Sequence, residues 1–144
     1  MPIAYGPPPW LPISSDAYKR LINRKAVALA KRDRKRGGSY SVKEAMDAIH
    51  SAFHRSTGVD PYDGIPMHGE LLGTYDNASS KAYGVAYKRQ FSRLPTVDHI
   101  NGEPVCEFEI VSWQTNDAKG DMSPADYIAH CHAVVAYRLS LIHI

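Results

Sequence analysis

Residues 94–126 read LPTVDHINGEPVCEFEIVSWQTNDAKGDMSPAD, and this stretch decides the fold. Pro95 takes the chain out of helix. Thr96-Val97-Asp98-His99-Ile100 then reads as a strand, since β-branched residues suit a pleated, half-buried surface. Asn101-Gly102 is a hairpin-turn signal, and Cys106-Glu107-Phe108-Glu109-Ile110-Val111 alternates in part, as a returning strand does. A short helix is expected over 113–120, stopped by Gly120. Ser123 caps a last helix with Pro124 at its first position and Asp126 at its third. Tyr127, Ile128, Cys131, Val134, Val135 and Leu139 form the stripe expected to face inward.

Upstream the pattern is helical. Ser14 and Ser15 precede a helix over 16–35, in which Tyr18, Leu21, Ile22, Ala26 and Leu29 recur at three- and four-residue spacing. Gly37-Gly38 ends it. Ser41 with Glu44 is a capping box for a second helix over 42–56, with Ala45, Ile49 and Phe53 inside. Residues 59–78 are rich in turn formers, with one short strand or helical turn around Glu70-Leu71-Leu72. Residues 79–92 suit a helix despite Gly84, since Tyr83, Tyr87 and Phe91 lie four apart. Residues 1–13 hold five of the ten prolines and form an extended arm, laid over the body by Ile3, Trp10 and Ile13. The expectation is a mostly helical α+β chain: a proline-rich arm over 1–15 and one domain over 16–144.

A chain of 144 residues and 16.0 kDa is one domain by size. No apolar run reaches the roughly 18 to 20 residues of a membrane span, and the N-terminus has no signal-peptide pattern. Two cysteines, Cys106 and Cys131, cannot make a disulfide framework or a four-thiolate zinc site, so free thiols and a cytoplasmic setting are expected. The net charge of +2 hides an asymmetry. Residues 1–43 carry ten Lys or Arg against Asp16 and Asp33, while 44–144 carry seven against thirteen acids. The basic run Arg24, Lys25, Lys31, Arg32, Arg34, Lys35 and Arg36 lies on one helix with almost nothing to balance it. Unopposed charge of one sign points to a polyanion, and nucleic acid is the expected partner. Tyr40, Tyr83 and Tyr87 are candidates for base stacking, with packing as the commoner role of such residues.

The strand ending in Asp98-His99, the second strand and Thr115-Asn116-Asp117-Ala118-Lys119-Gly120 together resemble the HNH endonucleases, a branch of the ββα-metal (His-Me finger) nucleases. The resemblance covers about 94–122, a quarter of the chain. It implies that His99 is the general base, with Asp98 and Asn116 as ligands of Mg²⁺ or Mn²⁺. It also places Lys119 within reach of phosphate. Imidazole has a pKa suited to activating water near neutrality, and a carboxylate and an amide carbonyl are oxygen donors that hard cations prefer. The chain lacks the paired Cys-x-x-Cys motifs that bind zinc in many members, so no structural zinc is expected. Asp60-Pro61-Tyr62-Asp63-Gly64 lies where those knuckles often stand. The middle Asn of the family has no counterpart, which keeps open a non-catalytic nucleic-acid-binding or assembly protein with a degenerate finger. Since neighbours in a strand point to opposite faces, joint use of Asp98 and His99 requires a strand end or a bulge. His50 and His54 have the one-face spacing of metal ligands but lack a third partner. His130 and His132 face different ways, and His68 lies in a loop.

Overall fold

Ser14 and Ser41 begin the two helices on which the rest is assembled. The computed structural model describes residues 5–142, so Ile3 of the expected arm lies outside the described residues. Ser14 Oγ accepts from the Ala17 N–H and starts α1, Ser15–Arg34. Ser41 and Glu44 form the reciprocal box that starts α2, Val42–Arg55. Such caps satisfy N–H groups that no helical carbonyl reaches. Tyr18, Leu21, Ile22, Ala26 and Leu29 of α1 share one core with Ala45, Ile49 and Phe53 of α2. The arm joins this core: Leu11 is buried, and Trp10 stacks on Phe53 with ring centroids 6.2 Å apart. Gly58 permits that approach, with a φ of 85° and Trp10 only 3.1 Å from where a Cβ would stand.

Residues 59–67 form a loop closed by a bridge between Val59 and Pro66, and Gly69–Leu71 is the expected helical turn. The helix expected over 79–92 is two short ones, α3 (Asn77–Tyr83) and α4 (Val85–Arg89). They part at Gly84, whose φ of 64° and ψ of −138° no helix continues through. Phe91 is buried but Tyr83 is 71% exposed, because the break rotates it off the inner face.

β1 (Pro95–His99) and β2 (Phe108–Ser112) pair antiparallel, with Val97 opposite Ile110, Asp98 opposite Glu109 and His99 opposite Phe108. The returning strand therefore starts at Phe108 and not at Cys106. A loop over 100–107 replaces the tight Asn-Gly turn. Pro104 has no N–H for a ladder, and Gly102 is drawn into other contacts. Its carbonyl accepts from Arg36 Nη2 at 2.5 Å, and a Cβ on it would collide with the Asp121 carbonyl oxygen.

Ser112 ends β2 and caps α5, Trp113–Lys119, through the Thr115 N–H. The N–H groups of Trp113 and Gln114 donate to the carbonyls of Leu94 and Ser92, so α5 is pinned to the entry of β1. Gly120, with a φ of 55°, ends it. α6 runs over Pro124–Ile142 from the Ser123 cap. Its apolar stripe is where the spacing put it, but it does not face inward: none of its described residues is buried, and Ile128, Val135 and Leu139 are half-exposed. The core of α1, α2 and the hairpin is already closed by the arm, and Tyr127 of α6 rests on Tyr62 of the 60–64 loop. The molecule is thus a single, mostly helical α+β domain. No described helix is long and apolar enough to cross a membrane.

Candidate active site

The pleat of β1 sends Asp98 and His99 to opposite faces, and each meets a partner from a different helix. His99 is the last residue of β1, so the change of direction falls at a strand end and needs no bulge. Its ring packs edge-on against Phe108, centroids 5.1 Å apart, and its Nε2 lies 2.6 Å from Asp33 Oδ2. Asp33 is fully buried near the end of α1, and the same Oδ2 accepts the Tyr40 hydroxyl. Oδ1 is buried without a hydrogen-bond partner among the described residues, and Arg36 Nη1 stands 3.6 Å away. Burial, with Asp33 beside it, pushes the Tyr40 phenol well above the ordinary tyrosine range, so it stays a donor. A carboxylate oxygen at that distance suits a ring N–H, so Nε2 is the natural donor of this contact. Among the described residues Nδ1 has no hydrogen-bond partner.

On the other face, Lys119 of α5 is fully buried. Its Nζ donates to Asp98 Oδ2 and to the His99 carbonyl, both at 3.0 Å. The expectation that Lys119 contacts phosphate is therefore corrected: its ammonium is spent inside the protein, because α5 packs flat on the hairpin one turn beyond Asn116. Burial pushes the Asp98 carboxyl up, and Lys119 pulls it partly back. Glu109, across the ladder from Asp98, is also pushed up by burial, while the Tyr62 hydroxyl bonded to it at 2.8 Å acts the other way. Asn116 donates from Nδ2 to Thr96 Oγ1 at 3.2 Å, and no described residue donates to its side-chain Oδ1.

The 60–64 segment braces this finger. Asp60 is buried, and its Oδ1 accepts the N–H groups of Tyr62 and Asp63 while Oδ2 accepts that of Ser112 at 2.8 Å. Arg93 closes the same loop with a forked pair to Asp63 and a bond to the Ile65 carbonyl. A carboxylate and a guanidinium tie the loop to the point where β2 becomes α5.

Asp98, His99 and Asn116 open on a cleft of about 900 Å³, whose opposite wall is α1 with Arg24, Lys25 and Arg32. An adjoining hollow of about 290 Å³ adds Arg36 to Arg32 beside the same three residues. Burial and the neighbouring Arg24 and Arg32 hold the Lys25 ammonium below the usual lysine range. Lys31, Arg34 and Lys35 are exposed and line neither space. Outside the cleft, His50 bonds Tyr18 of α1 and stands edge-on to Tyr5 of the arm, and His54 bonds the Gly6 carbonyl, so both serve packing. His68 is an exposed loop residue, and His130 and His132 are exposed on α6.

Among the described residues no three His, Cys, Asp or Glu side chains converge as a metal cluster. Asp98 and Asn116 nevertheless both line the open cleft, and a carboxylate and a side-chain amide oxygen there suit Mg²⁺, which keeps several of its waters. No protein-family model matches the chain, and neither a curated protein nor a solved structure matches it. The residue that sequence reasoning misses is Asp33, while Tyr40, a candidate for base stacking, bonds Asp33 and packs on Phe108. A signal for Asp33 is present, since it is the one acid within the run Lys31-Arg32-Asp33-Arg34-Lys35-Arg36.

Proposed function

We propose that this protein is an HNH-type endonuclease that hydrolyses phosphodiester bonds of nucleic acid, with DNA as the first substrate. The observation that carries this reading is the cleft in which His99, Asp98 and Asn116 face Arg24, Lys25 and Arg32. Arginine and lysine on a rigid helix hold the backbone without reading bases. A phosphate seated there stands over the end of β1. His99 Nδ1 takes a proton from a water, the water oxygen forms the new bond to phosphorus, and the bond from phosphorus to O3′ breaks in line. The departing O3′ gains a proton from solvent. A divalent cation, held by Asp98 and Asn116, would supply stabilisation of charge on the phosphoryl oxygens.

A second reading is a non-catalytic nucleic-acid-binding or assembly protein, and one observation favours it. Lys119 already offsets the charge of Asp98, so the carboxylate offered to a cation is half compensated. Cleavage of supercoiled plasmid with Mg²⁺, Mn²⁺ or EDTA, run beside His99→Ala, separates the two. The nuclease gives metal-dependent nicking that falls by about 10²- to 10⁴-fold in the variant, the range that a general base contributes. Salt-sensitive retention of plasmid without nicking by either protein would establish the second reading.

A further inference from the structure

We infer that Asp33 is the positioning residue of His99, locking its imidazole as the Nε2–H tautomer with Nδ1 toward the cleft. For its rate readout this rests on the proposed function. The contact is long-range in sequence, joining the end of the basic helix to the end of β1 at 2.6 Å. Both side chains are buried, so water does not compete for the bond. The Tyr40 hydroxyl donates to the same Oδ2, and Tyr40 packs on Phe108, the residue against which the His99 ring also stands. The ring is thereby fixed from its edge by Asp33 and from one side by Phe108.

A role in packing alone does not account for the carboxylate. Its Oδ1 is left buried and without a hydrogen bond among the described residues, a state that folded chains generally avoid. An apolar residue, or an amide with both ends satisfied, would tie α1 to the hairpin without that cost. What a carboxylate adds is an acceptor that cannot donate, which forces the proton onto Nε2. The placement has a second consequence. Asp33 lies on the same rigid helix as Arg24 and Arg32, which line the cleft. The element that holds the phosphate therefore also aims the base, and their separation is set by one α-helix rather than by a loop.

The test is long-range ¹H–¹⁵N correlation of the histidine side chains, with His99 assigned by His99→Gln, joined to nicking kinetics. Wild type is expected to show His99 protonated on Nε2 and bare on Nδ1. Asp33→Asn is expected to mix or invert the tautomer, and to lower kcat by about 100-fold with KM moving by less than about 2-fold. Tyr40→Phe keeps the tautomer and loses less than about 10-fold, since it removes only one donor from Oδ2. An Nδ1–H tautomer in wild type would overturn the inference even if Asp33→Asn fails to fold. So would wild-type kcat and an unchanged tautomer in Asp33→Asn. If wild type cuts nothing with either metal, the nuclease reading falls, and the tautomer experiment still decides the role of Asp33.

Discussion

Asp98 and His99 are consecutive residues with similar burial, yet the protein treats them in opposite ways. His99 is held at Nε2 by an acid from α1 and lines the cleft. Asp98 is bound by a base from α5 that occupies one of its oxygens. The first arrangement fixes a ring through one nitrogen, and the second offsets a charge. The pleat makes this possible, because one residue of register sends the two side chains to different helices. A strand end thus brings two unlike electrostatic environments to one cleft within a single peptide unit.

The Asp98–Lys119 pair carries the largest expected effect. Lys119→Met leaves Asp98 buried without its cation, and removal of one partner from a buried pair costs about 3–5 kcal/mol. Urea denaturation is expected to show that decrease, with part recovered in the double variant Asp98→Asn/Lys119→Met. Equal stability of the single variant and wild type would mean that water compensates Asp98 and that the pair is not structural.

The His99 side is sharpened through the wall it faces. Neutralising Arg24 or Arg32 with Gln is expected to weaken duplex binding uniformly across sequences and to lower the slope of log K against log salt by about 1 for each phosphate no longer neutralised. The same change at Lys31 or Lys35, which line neither space, is expected to have less effect, and fluorescence anisotropy in a salt series distinguishes them. Equal weakening at all four would make the helix a diffuse basic surface rather than one wall of a site.

The smallest effect concerns Glu109, the cross-strand neighbour of Asp98. Its carboxyl is pushed above the ordinary range mainly by burial, so the folded state holds that proton more tightly than the unfolded chain. Glu109 then favours the fold at acid pH, and its contribution fades as pH rises through the folded-state value. Glu109→Gln keeps an acceptor for Tyr62 and removes that ionisation. The variant is expected to gain on wild type as pH is raised from about 4 to 7, by less than about 1 kcal/mol for a partly exposed group. Parallel urea curves at both ends of that range check the sign.

Much of the architecture is legible in one dimension. The caps at Ser14, Ser41 and Ser123, the spacing of Tyr18, Ile22 and Leu29, the β-branched run before His99 and the stop at Gly120 are local signals. They act within one or two turns of chain, where backbone sterics and neighbouring hydrogen bonds dominate. The misplacements share a different cause. Asn101-Gly102 promises a tight turn, but Arg36 and Asp121, distant in sequence, claim the glycine for a loop instead. Periodicity in α6 records which residues share a face and not what that face meets, so its stripe looks inward-facing in one dimension and is not. Helical spacing sets Lys119 near Asn116 and so toward phosphate, and nothing local tells of Asp98 beneath it.

Local signals along the chain set the two long helices, the hairpin followed by a short helix, and the chemistry available at Asp98, His99 and Asn116. Which side chain meets which was left to long-range packing. It turned the lone acid of a basic run toward His99 and drove Lys119 inward onto Asp98. It also set Arg24 and Arg32 across a cleft from both. Those pairings join residues about 20 to 70 positions apart, and they are fixed by how α1, α5 and the hairpin pack, which no local pattern encodes.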